Sequence, residues 1–324
     1  MKTTWTSALR ALLLASICQF AAAQDYPGGS VRLVVPYPPG GGVDGLARPL
    51  AERLASLWGK PVIVDNRAGA ATLIGSDFVA KAPPDGLTLL FTSDSSITSN
   101  PHLFAKMTFD PMKDLVPVTQ LIDLYQMVVV HPSVRANTMQ EFVALAKSQP
   151  TPINYGSYGA GSQPNLLFEA LKLQTGIRLT HVPYKGIAPA LQATLANEVQ
   201  ATLGGAATTG QYFAAGTMKP LAISAPKRLT LYPNVPTLRE AGFPDIGPAA
   251  WFGILAPRGT PQAVLDKISR DVARVMADPA FDAAQVTGKG YQRVGSTPQE
   301  FAKFVEEDFR HKGRVIKESG IKLD

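Results

Sequence analysis

Short runs of apolar residues alternate along the chain with longer segments in which apolar positions recur every three or four residues. Apolar, β-branched runs bounded by Gly or Pro predict strands, and the longer period predicts helices. The predicted strands are VRLVV, PVIVDN, LTLLFT, VPVTQLI, MVVV, INY, LTHV, VQATL, PLAIS and AWFGILAP. The predicted helices span residues 43–58, 73–81, 139–148, 166–175, 188–196, 261–277 and 298–319. This alternation favours an α/β fold with largely parallel sheets.

The last predicted helix has an apolar face and a charged face. Its apolar residues recur at helical spacing and predict packing on a core. They are Phe301, Phe304, Val305 and Phe309. The acidic run from Glu306 to Asp308 predicts a solvated face rather than an acid–base pair.

One unit, a strand followed by a glycine-rich loop and a helix, occurs twice. The first copy is RLVVPYPPGGGVDGLARPLAERL and the second is INYGSYGAGSQPNLLFEALKL. Each places backbone N–H groups at a helix N-terminus, which attracts carboxylate or phosphate. In open α/β sheets, ligands bind outside the carboxyl ends of strands. Two such ends on two lobes predict a cleft that closes on a ligand.

The first glycine run also resembles a dinucleotide-binding motif. Gly40, Gly42 and Gly45 fit G-x-G-x-x-G, and Asp65 follows twenty residues later. An exported oxidoreductase that uses the loop from Gly40 to Gly45 is therefore an alternative function. However, a proline-rich stretch separates the strand from the glycines, and Gly45 falls inside the predicted helix. We therefore predict no cofactor.

The N-terminus has the pattern of a secretory signal peptide. A basic start precedes a ten-residue apolar stretch, too short to span a bilayer, and then AAAQ. This predicts a signal peptide over residues 1–23, cleaved after Ala23, and a periplasmic protein. The single cysteine, Cys18, follows the bulky Ile17, so ordinary cleavage is favoured over lipid attachment. The mature chain then has no cysteine for a disulfide, a thiolate nucleophile or a metal site.

Charge and motif content narrow the function classes. The 324 residues carry 31 Lys and Arg against 25 Asp and Glu, but the basic residues are scattered. Scattered charge argues against nucleic-acid binding, and a mild positive balance favours anionic ligands only weakly. The four histidines form no H-x-x-x-H pair, and no motif marks a nucleophile beside a base. We predict no catalytic residue and no metal site, and we interpret His181 as structural.

Six segments together carry a family resemblance. They are VPYPPGGGVD, PVIVDNRAGAATLIGSDFVAKAPPDGLTLLF, FDPMKDLVPV, HVPYKGIAPAL, NVPTLREAGFP and WFGILAPRGTP. Over essentially the whole mature chain, the sequence resembles the Bug-type solute receptors of tripartite tricarboxylate transporters. The resemblance implies a two-lobe periplasmic-binding-protein fold of type II, a Venus flytrap with a hinge. It also implies a monomer that delivers a small carboxylate to membrane permease subunits.

The resemblance also implies where the ligand binds. One ligand carboxylate is held by loop backbone and ordered water rather than by an arginine. The first lobe, residues 24–124 and 249–324, contributes Tyr37, Pro38, Gly40, Gly41, Val43, Asp44, Ala70, Ala71, Thr72, Ser93, Asp94 and Ser95. The second lobe, residues 125–248, contributes Gly156, Ser157, Tyr158, Gly161, Ser162, Asn165 and Gly204.

Two of these positions have two interpretations each. Asp44 either caps the following helix or orients a bound water molecule. Tyr37 either forms a wall of the ligand pocket or covers the edge of its lobe.

Four positions depart from the family pattern. Val43 replaces a common Thr or Ser, and Asn165 replaces a common His. Gly204 and Gly205 replace an Asp–Asn pair, which suggests a ligand without an ammonium group. Tyr158 replaces a small residue and is expected to stack on a ligand ring. We therefore expect an aromatic carboxylate or a dicarboxylate, while a receptor that signals to a sensor kinase remains an alternative.

Overall fold

The computed structural model describes residues 26–244, 246 and 250–323. The predicted signal peptide, residues 1–23, lies outside the described residues. Among the residues described, no helix combines the length and the apolar character that a membrane crossing requires.

The strands form two sheets. In chain order they are β1 (Val31–Val35), β2 (Val62–Asn66), β3 (Thr88–Ser93), β4 (Leu115–Leu124), β5 (Gln126–Val130), β6 (Ile153–Ser157), β7 (Leu179–Pro183), β8 (Ala201–Gly205), β9 (Lys219–Ile223), β10 (Ala250–Pro257) and β11 (Gln292–Arg293). One sheet has the order β11-β4-β10-β3-β1-β2, and the other has the order β7-β6-β8-β5-β9. The alternating α/β class is confirmed.

The helices cover both sheets. In chain order they are α1 (Gly42–Trp58), α2 (Leu73–Ala80), α3 (Asn100–Leu103), α4 (Pro111–Asp114), α5 (Met139–Ser148), α6 (Gln163–Thr175), α7 (Ile187–Leu195), α8 (Ala206–Ala214), α9 (Gln262–Met276), α10 (Pro279–Phe281) and α11 (Pro298–Ser319). The seven predicted helices are present within three residues at each end. Helix α6 begins three residues early because Pro164 occupies its first turn, where proline removes no helical hydrogen bond. Helix α8 and the short helices α3, α4 and α10 were not predicted.

The sheets are mixed, so the expectation of largely parallel sheets is wrong. Strand β1 is parallel to β2 and β3, and β6 is parallel to β7 and β8. Strand β10 is antiparallel to β3 and β4, and β5 is antiparallel to β8 and β9. Strand β5 enters its sheet directly from β4 of the other sheet, with only Tyr125 between them, so no crossover from a preceding strand of its own sheet sets its direction.

Helix α11 packs on the cores of both sheets. Near its start, Phe301 and Val305 join Trp251 in a cluster of the six-stranded sheet. Near its end, Val315 and Ile316 join the cluster of the five-stranded sheet. The predicted core face of this helix is confirmed at Phe301 and Val305, and the helix links the two sheets.

Asp308 on α11 contradicts the predicted solvated face. It is 2 % exposed, whereas Glu306 and Glu307 are exposed as predicted. The Asp308 Oδ2 accepts hydrogen bonds from the Trp251 indole at 2.9 Å and from the Thr98 hydroxyl at 2.6 Å. The carboxylate is tolerated in the core because these donors replace water.

Candidate functional site

Loops of the six-stranded sheet meet at one edge. Strands β2, β1 and β3 are adjacent and parallel, so their carboxyl ends lie side by side. The Tyr37 hydroxyl oxygen lies 2.7 Å from the Ser93 Oγ and 3.1 Å from the Ser96 Oγ. The Asn66 Nδ2 donates to the Tyr37 carbonyl oxygen at 3.1 Å. The predicted site residues that follow β1 and β3 are therefore brought together.

The first glycine loop, residues 36–42, leaves the N-terminus of α1 open. Gly41 is the N-cap, and no side chain caps the helix there. Gly40 and Gly41 are exposed. A Cβ built on Gly40 would meet no atom within 4 Å, and one on Gly41 would meet only the Pro38 carbonyl oxygen at 3.8 Å. Because the first N–H groups of a helix lack helical partners and carry partial positive charge, they offer donors to an anion.

Asp44 holds the first glycine loop in shape. Its Oδ2 accepts from the Gly40 N–H and the Arg48 Nε, both at 2.9 Å. Its Oδ1 accepts from the Arg48 Nη2 and the Asn66 Nδ2, also at 2.9 Å. Burial alone would raise the pKa of Asp44, but these hydrogen bonds outweigh it and hold the pKa below its usual value. Gly40 is the residue before the N-cap, and Asp44 is the third residue of α1. The Asp44 side chain therefore caps the glycine loop.

The loop after β2 has an unusual backbone. Ala70, Ala71 and Thr72 have φ angles of 44°, 49° and 81°. Such angles cost non-glycine residues about 1–2 kcal/mol each. The Asn100 side chain supports them by donating to the Ala71 carbonyl oxygen at 2.7 Å and to the Thr72 Oγ1 at 3.2 Å. Backbone strain of this kind is concentrated at binding and active sites.

The second glycine loop, residues 158–162, repeats the backbone geometry of the first. Ser162 is the N-cap of α6, and Asn165 stands at the third helical position, as Asp44 does in α1. The Asn165 Oδ1 accepts from the Gly161 N–H at 2.9 Å. The Asn165 Nδ2 donates to the Tyr155 hydroxyl, which donates to Glu169 at 2.8 Å. The internal repeat recognised in the sequence is thus also a structural repeat.

The second glycine loop is covered, unlike the first. Residues 161–165 are all buried. A Cβ on Gly161 would collide with the Leu103 side chain, which belongs to the same core cluster as Leu167. The N-terminus of α6 is therefore closed by α3 rather than open to a ligand.

Tyr158 lies in the second glycine loop and is half-buried. Burial and the nearby Asp94 carboxylate raise the pKa of its hydroxyl. The Ser162 hydroxyl donates to the Gly159 carbonyl oxygen at 2.5 Å, so the N-cap residue of α6 does not cap its own helix.

Ser157 and His181 form a contact that the sequence analysis did not expect. The Ser157 Oγ lies 2.5 Å from the His181 Nε2 and accepts from the Gly159 N–H at 3.0 Å. The His181 ring stacks on Tyr155, and burial lowers its pKa. Ser157 is 0 % exposed, so solvent does not reach its side chain. Its geometry fits the structural interpretation of His181.

At three predicted site residues, other parts of the protein occupy the space that a side chain or ligand would need. A Cβ on Gly204 would collide with Thr209, and one on Gly156 would lie 3.2 Å from Val199. Both glycines permit close packing of neighbouring elements. The Val43 side chain is buried in the core cluster of α1. For Val43, only the backbone remains to contact a ligand.

A buried ionic cluster joins the segment after β3 to helix α11. The Lys312 Nζ donates to the Asp94 Oδ2 at 2.6 Å, the Asp308 Oδ2 at 2.8 Å and the Thr98 Oγ1 at 3.0 Å. Burial raises the pKa of Asp94. Burial alone would lower the pKa of Lys312, but Asp308 and Asp94 outweigh it and raise that pKa. The cluster ties the β3 end of the site to α11.

The sequence analysis predicted Asp94 but not its two partners. A signal was present, because Asp308 and Lys312 continue the spacing of the buried residues Phe301, Val305 and Val315 along one face of α11. Alternating steps of four and three residues mark a single helix face. The sequence analysis placed Asp308 on the solvated face because of its charge, although its position in the helix matches the buried face.

The acidic residue of the dinucleotide motif is already engaged. The Asp65 Oδ2 accepts from the Arg67 Nε at 2.8 Å and the Arg32 Nη1 at 3.2 Å. Gly45 lies within α1, four residues past the N-cap. Neither arrangement matches the ribose and pyrophosphate contacts of that motif. Within the described residues, no group of three His, Cys, Asp or Glu side chains is placed to hold a metal ion.

Comparisons with known proteins agree with this geometry. A family model described as "TctC: Tripartite tricarboxylate transporter family receptor" matches residues 46–321. Protein BugT of Bordetella pertussis is 32% identical over 310 residues, which are 95% of each chain. An R. palustris protein solved with adipate has a TM-score of 0.77 and 31% identity, over 92% of this chain and 99% of its own. MatC from Rhodopseudomonas palustris with bound malate has a TM-score of 0.73 and 29% identity, over 90% of this chain and all of its own.

The relative and the two solved structures match 90% or more of this chain. The structural neighbours are periplasmic solute-binding proteins, which confirms the two-lobe fold class. Members of this family are periplasmic solute receptors rather than enzymes. The chain belongs to the receptor family of the tripartite tricarboxylate transporters.

Proposed function

We propose that this protein binds a small carboxylate at the first glycine loop and delivers it to the membrane permease of a tripartite tricarboxylate transporter. The observation that carries the proposal is the open N-terminus of α1, with exposed backbone at Gly40 and Gly41 and no side-chain cap. Donors fixed in a helix stabilise an anion without a formal cation.

The neighbouring loops complete the proposed site. Tyr37 and Ser93 place hydroxyl groups beside the first glycine loop. The loop after β2 adds exposed, strained backbone at Ala70 and Ala71. Ordered water molecules would bridge these groups to the ligand at little free-energy cost.

The proposed cleft lies between a first lobe, residues 24–124 and 249–324, and a second lobe, residues 125–248. The chain passes directly from β4 to β5 at Tyr125, and α11 packs on both sheets. Both connections are positioned to act as a hinge, and binding of the ligand to both lobes would favour the closed state.

The proposed ligands are aromatic carboxylates and dicarboxylates. The adipate and malate of the two related structures are dicarboxylates. The second lobe offers Gly204 where relatives with amino-acid ligands carry an acid, which supports a ligand without an ammonium group. The predicted signal peptide supports export of the monomer to the periplasm.

Thermal unfolding of residues 24–324 against a ligand panel tests the proposal. The panel contains aliphatic dicarboxylates, tricarboxylates, aromatic mono- and dicarboxylates, acidic amino acids, NAD and NADP. A ligand at one hundred times its Kd adds about 2.7 kcal/mol to the free energy of unfolding, which raises Tm by several degrees. A rise with carboxylates alone supports the receptor. A rise with NAD or NADP alone would instead establish the dinucleotide alternative.

A matched pair of variants locates the site. Gly41 has φ −76° and ψ 173°, which any residue adopts, and its Cβ direction is open. Gly41→Leu therefore fills the entrance to the α1 N-terminus with little strain, and we expect carboxylate affinity to fall at least about tenfold. Gly45→Ala, one turn along the same helix, should leave it unchanged. Equal affinities for both variants and the wild type would place the ligand elsewhere.

A further inference from the structure

A cationic groove runs along the C-terminal half of α11, and we call it the α11 groove. Its volume is about 560 Å³. The cationic side chains that line it are all exposed, and they are Arg310, Arg314, Lys317 and Lys322. Among the described residues, no acidic side chain lines this groove. It is therefore a concave surface of one charge sign.

The cations of the α11 groove lack acidic partners. The Arg310 Nε donates to the Glu306 carbonyl oxygen at 3.2 Å, and the Arg314 Nη2 donates to the His311 Nδ1 at 3.3 Å. Within the described part of the chain, no cation of this groove forms an ion pair with an acidic side chain. Like charges held side by side repel one another, and an anionic partner relieves that repulsion.

The helix dipole explains only part of this row of cations. A cation stabilises the C-terminus of a helix, but the effect falls off beyond the last turn. Lys317 lies in the last turn of α11, whereas Arg310 and Arg314 precede it. The stability of the helix therefore does not account for the whole row.

The rest of the α11 groove is lined by aromatic and apolar groups. The His102 and Phe309 rings lie against each other with centroids 4.1 Å apart, and the His102 Nε2 donates to the Phe309 carbonyl oxygen at 3.0 Å. A Cβ on Gly313 would lie only 2.6 Å from the His102 Cε1, so the ring occupies the space of a side chain there. Ile316 and Ile321 complete this lining. Half-buried rings thus lie beneath exposed cations.

The spacing of the cations fits an extended polypeptide. At a rise of about 1.5 Å per residue, Arg310, Arg314 and Lys317 are separated by about 6 Å and about 4.5 Å along the helix axis. Side chains on one face of an extended chain repeat about every 6.6 Å. Acidic residues at alternate positions would therefore meet successive cations. A flat lipid surface would reach the exposed cations but not the half-buried rings, so the groove favours a protein segment.

Helix α3, which forms one wall of the α11 groove, also contacts the proposed ligand site and the second lobe. His102 of this helix lines the groove. Two residues earlier, the Asn100 Nδ2 donates to the Ala71 carbonyl oxygen at 2.7 Å. One residue later, Leu103 fills the space beside Gly161. A partner seated in the groove would therefore touch the element that connects a ligand loop with the second lobe.

We propose that the α11 groove docks an extended acidic segment of the membrane partner that receives the ligand. The segment carries aspartate or glutamate at alternate positions, which pair with Arg310, Arg314 and Lys317. This inference rests on the proposed function, because a receptor that delivers its ligand needs a surface for the recipient.

Fluorescence anisotropy with labelled peptides tests the docking surface on residues 24–324. One peptide has aspartate at every second position, and its matched peptide has asparagine there. We expect the wild type to bind the aspartate peptide at least about tenfold more tightly. Raising the salt concentration from about 50 mM to about 500 mM should weaken this binding, because exposed charges are screened. Equal affinities, or no binding of either peptide, would overturn the inference.

Charge-reversal variants locate the binding surface. Arg314→Glu combined with Lys317→Glu reverses two charges of the α11 groove and should weaken aspartate-peptide binding at least about tenfold. Lys60→Glu combined with Lys303→Glu is the matched control, because it makes the same change in net charge at exposed positions outside the groove. The control should change the affinity less than about twofold. Equal losses in the two variants would assign binding to overall charge and overturn the groove.

Two further measurements separate this inference from its rivals. Vesicles of phosphatidylglycerol that bind the wild type, when the aspartate peptide does not, would identify a lipid surface and overturn the protein segment. The peptide titration contains no carboxylate ligand, so its failure leaves the proposed carboxylate binding intact. The groove variant should keep the rise in Tm that carboxylates give the wild type. Loss of that rise would place the groove in the ligand site and overturn docking, whereas a wild type that no carboxylate stabilises would overturn the proposed function.

Discussion

In the first glycine loop a carboxylate, Asp44, accepts the N–H of Gly40, and in the second an amide, Asn165, accepts the N–H of Gly161. The distances are the same, 2.9 Å, but the charges differ. The first loop is exposed, so Arg48 can pair with Asp44 from the surface. The second loop is buried. The carboxylate of its helix, Glu169, lies one turn beyond Asn165 and pairs with Lys172.

The same hydrogen bond from the glycine N–H to the third helical residue therefore occurs in an exposed loop and in a buried loop. A charge directly behind a covered helix N-terminus would be expensive to desolvate, whereas an amide makes the same bond without that cost. The open loop leaves its helix N-terminus exposed, whereas the covered loop packs against Leu103. Similar sequence units therefore lie in different surroundings.

The largest expected effect comes from the buried ionic cluster of Asp94, Asp308 and Lys312. Lys312→Met leaves Asp94 and Asp308 buried without their ammonium partner. We expect a loss of about 3–5 kcal/mol in the free energy of unfolding, measured by urea denaturation. Lys317→Met, on the exposed face of α11, is the control and should change stability by no more than about 0.5 kcal/mol. Equal stabilities would mean that the cluster contributes nothing.

Alanine at the two equivalent glycines compares the loops directly. Gly161→Ala combines a positive φ with a collision against Leu103, so we expect a loss of about 3 kcal/mol. Gly40→Ala has the same kind of φ but open space, so we expect about 1 kcal/mol. Thermal unfolding of both variants measures the difference. Similar losses would contradict the assignment of one covered and one open loop.

Asp123, near the end of β4, should titrate. Burial raises its pKa to about 6. The folded protein therefore holds this proton more tightly than the unfolded chain, in which the pKa is near 3.8. The contribution of Asp123 to stability is complete below about pH 4 and is lost as pH rises through about 6, at a cost of about 3 kcal/mol.

Asp123→Asn should remove that part of the pH dependence, measured by urea denaturation between pH 4 and pH 8. Asp85→Asn, at an exposed turn, is the control. A wild-type curve that is already flat over this range would argue against a buried, protonated Asp123.

The smallest expected effect concerns the charge of the first loop. Asp44→Asn keeps an acceptor for Gly40 but loses the ion pair with Arg48, so we expect a loss of about 1 kcal/mol at pH 7. Because the folded-state pKa of Asp44 is depressed, its contribution is present above about pH 4 and disappears as pH falls further. The wild type and the variant should therefore converge in acid. A constant difference down to pH 2 would show that charge is not the cause.

Much of the fold followed from local pattern. The apolar runs around Val34 and Val128 predicted strands, and the glycine loops predicted helix N-termini at the carboxyl ends of β1 and β6. These features depend on a few consecutive residues, so periodicity and turn chemistry are enough to reveal them. Antiparallel β5 and β10 could not be inferred, because strand direction depends on how the chain passes between sheets.

The amino-acid sequence by itself determined the α/β class, the paired glycine loops and the family. Each is specified by residue spacing along the chain. Only the tertiary structure decided that Asp308 and Lys312 are buried together and that Leu103 covers Gly161. These contacts join residues that are distant in sequence, so residue spacing does not reveal them. Burial strongly changes the free energy of a charged or polar group, and burial depends on packing.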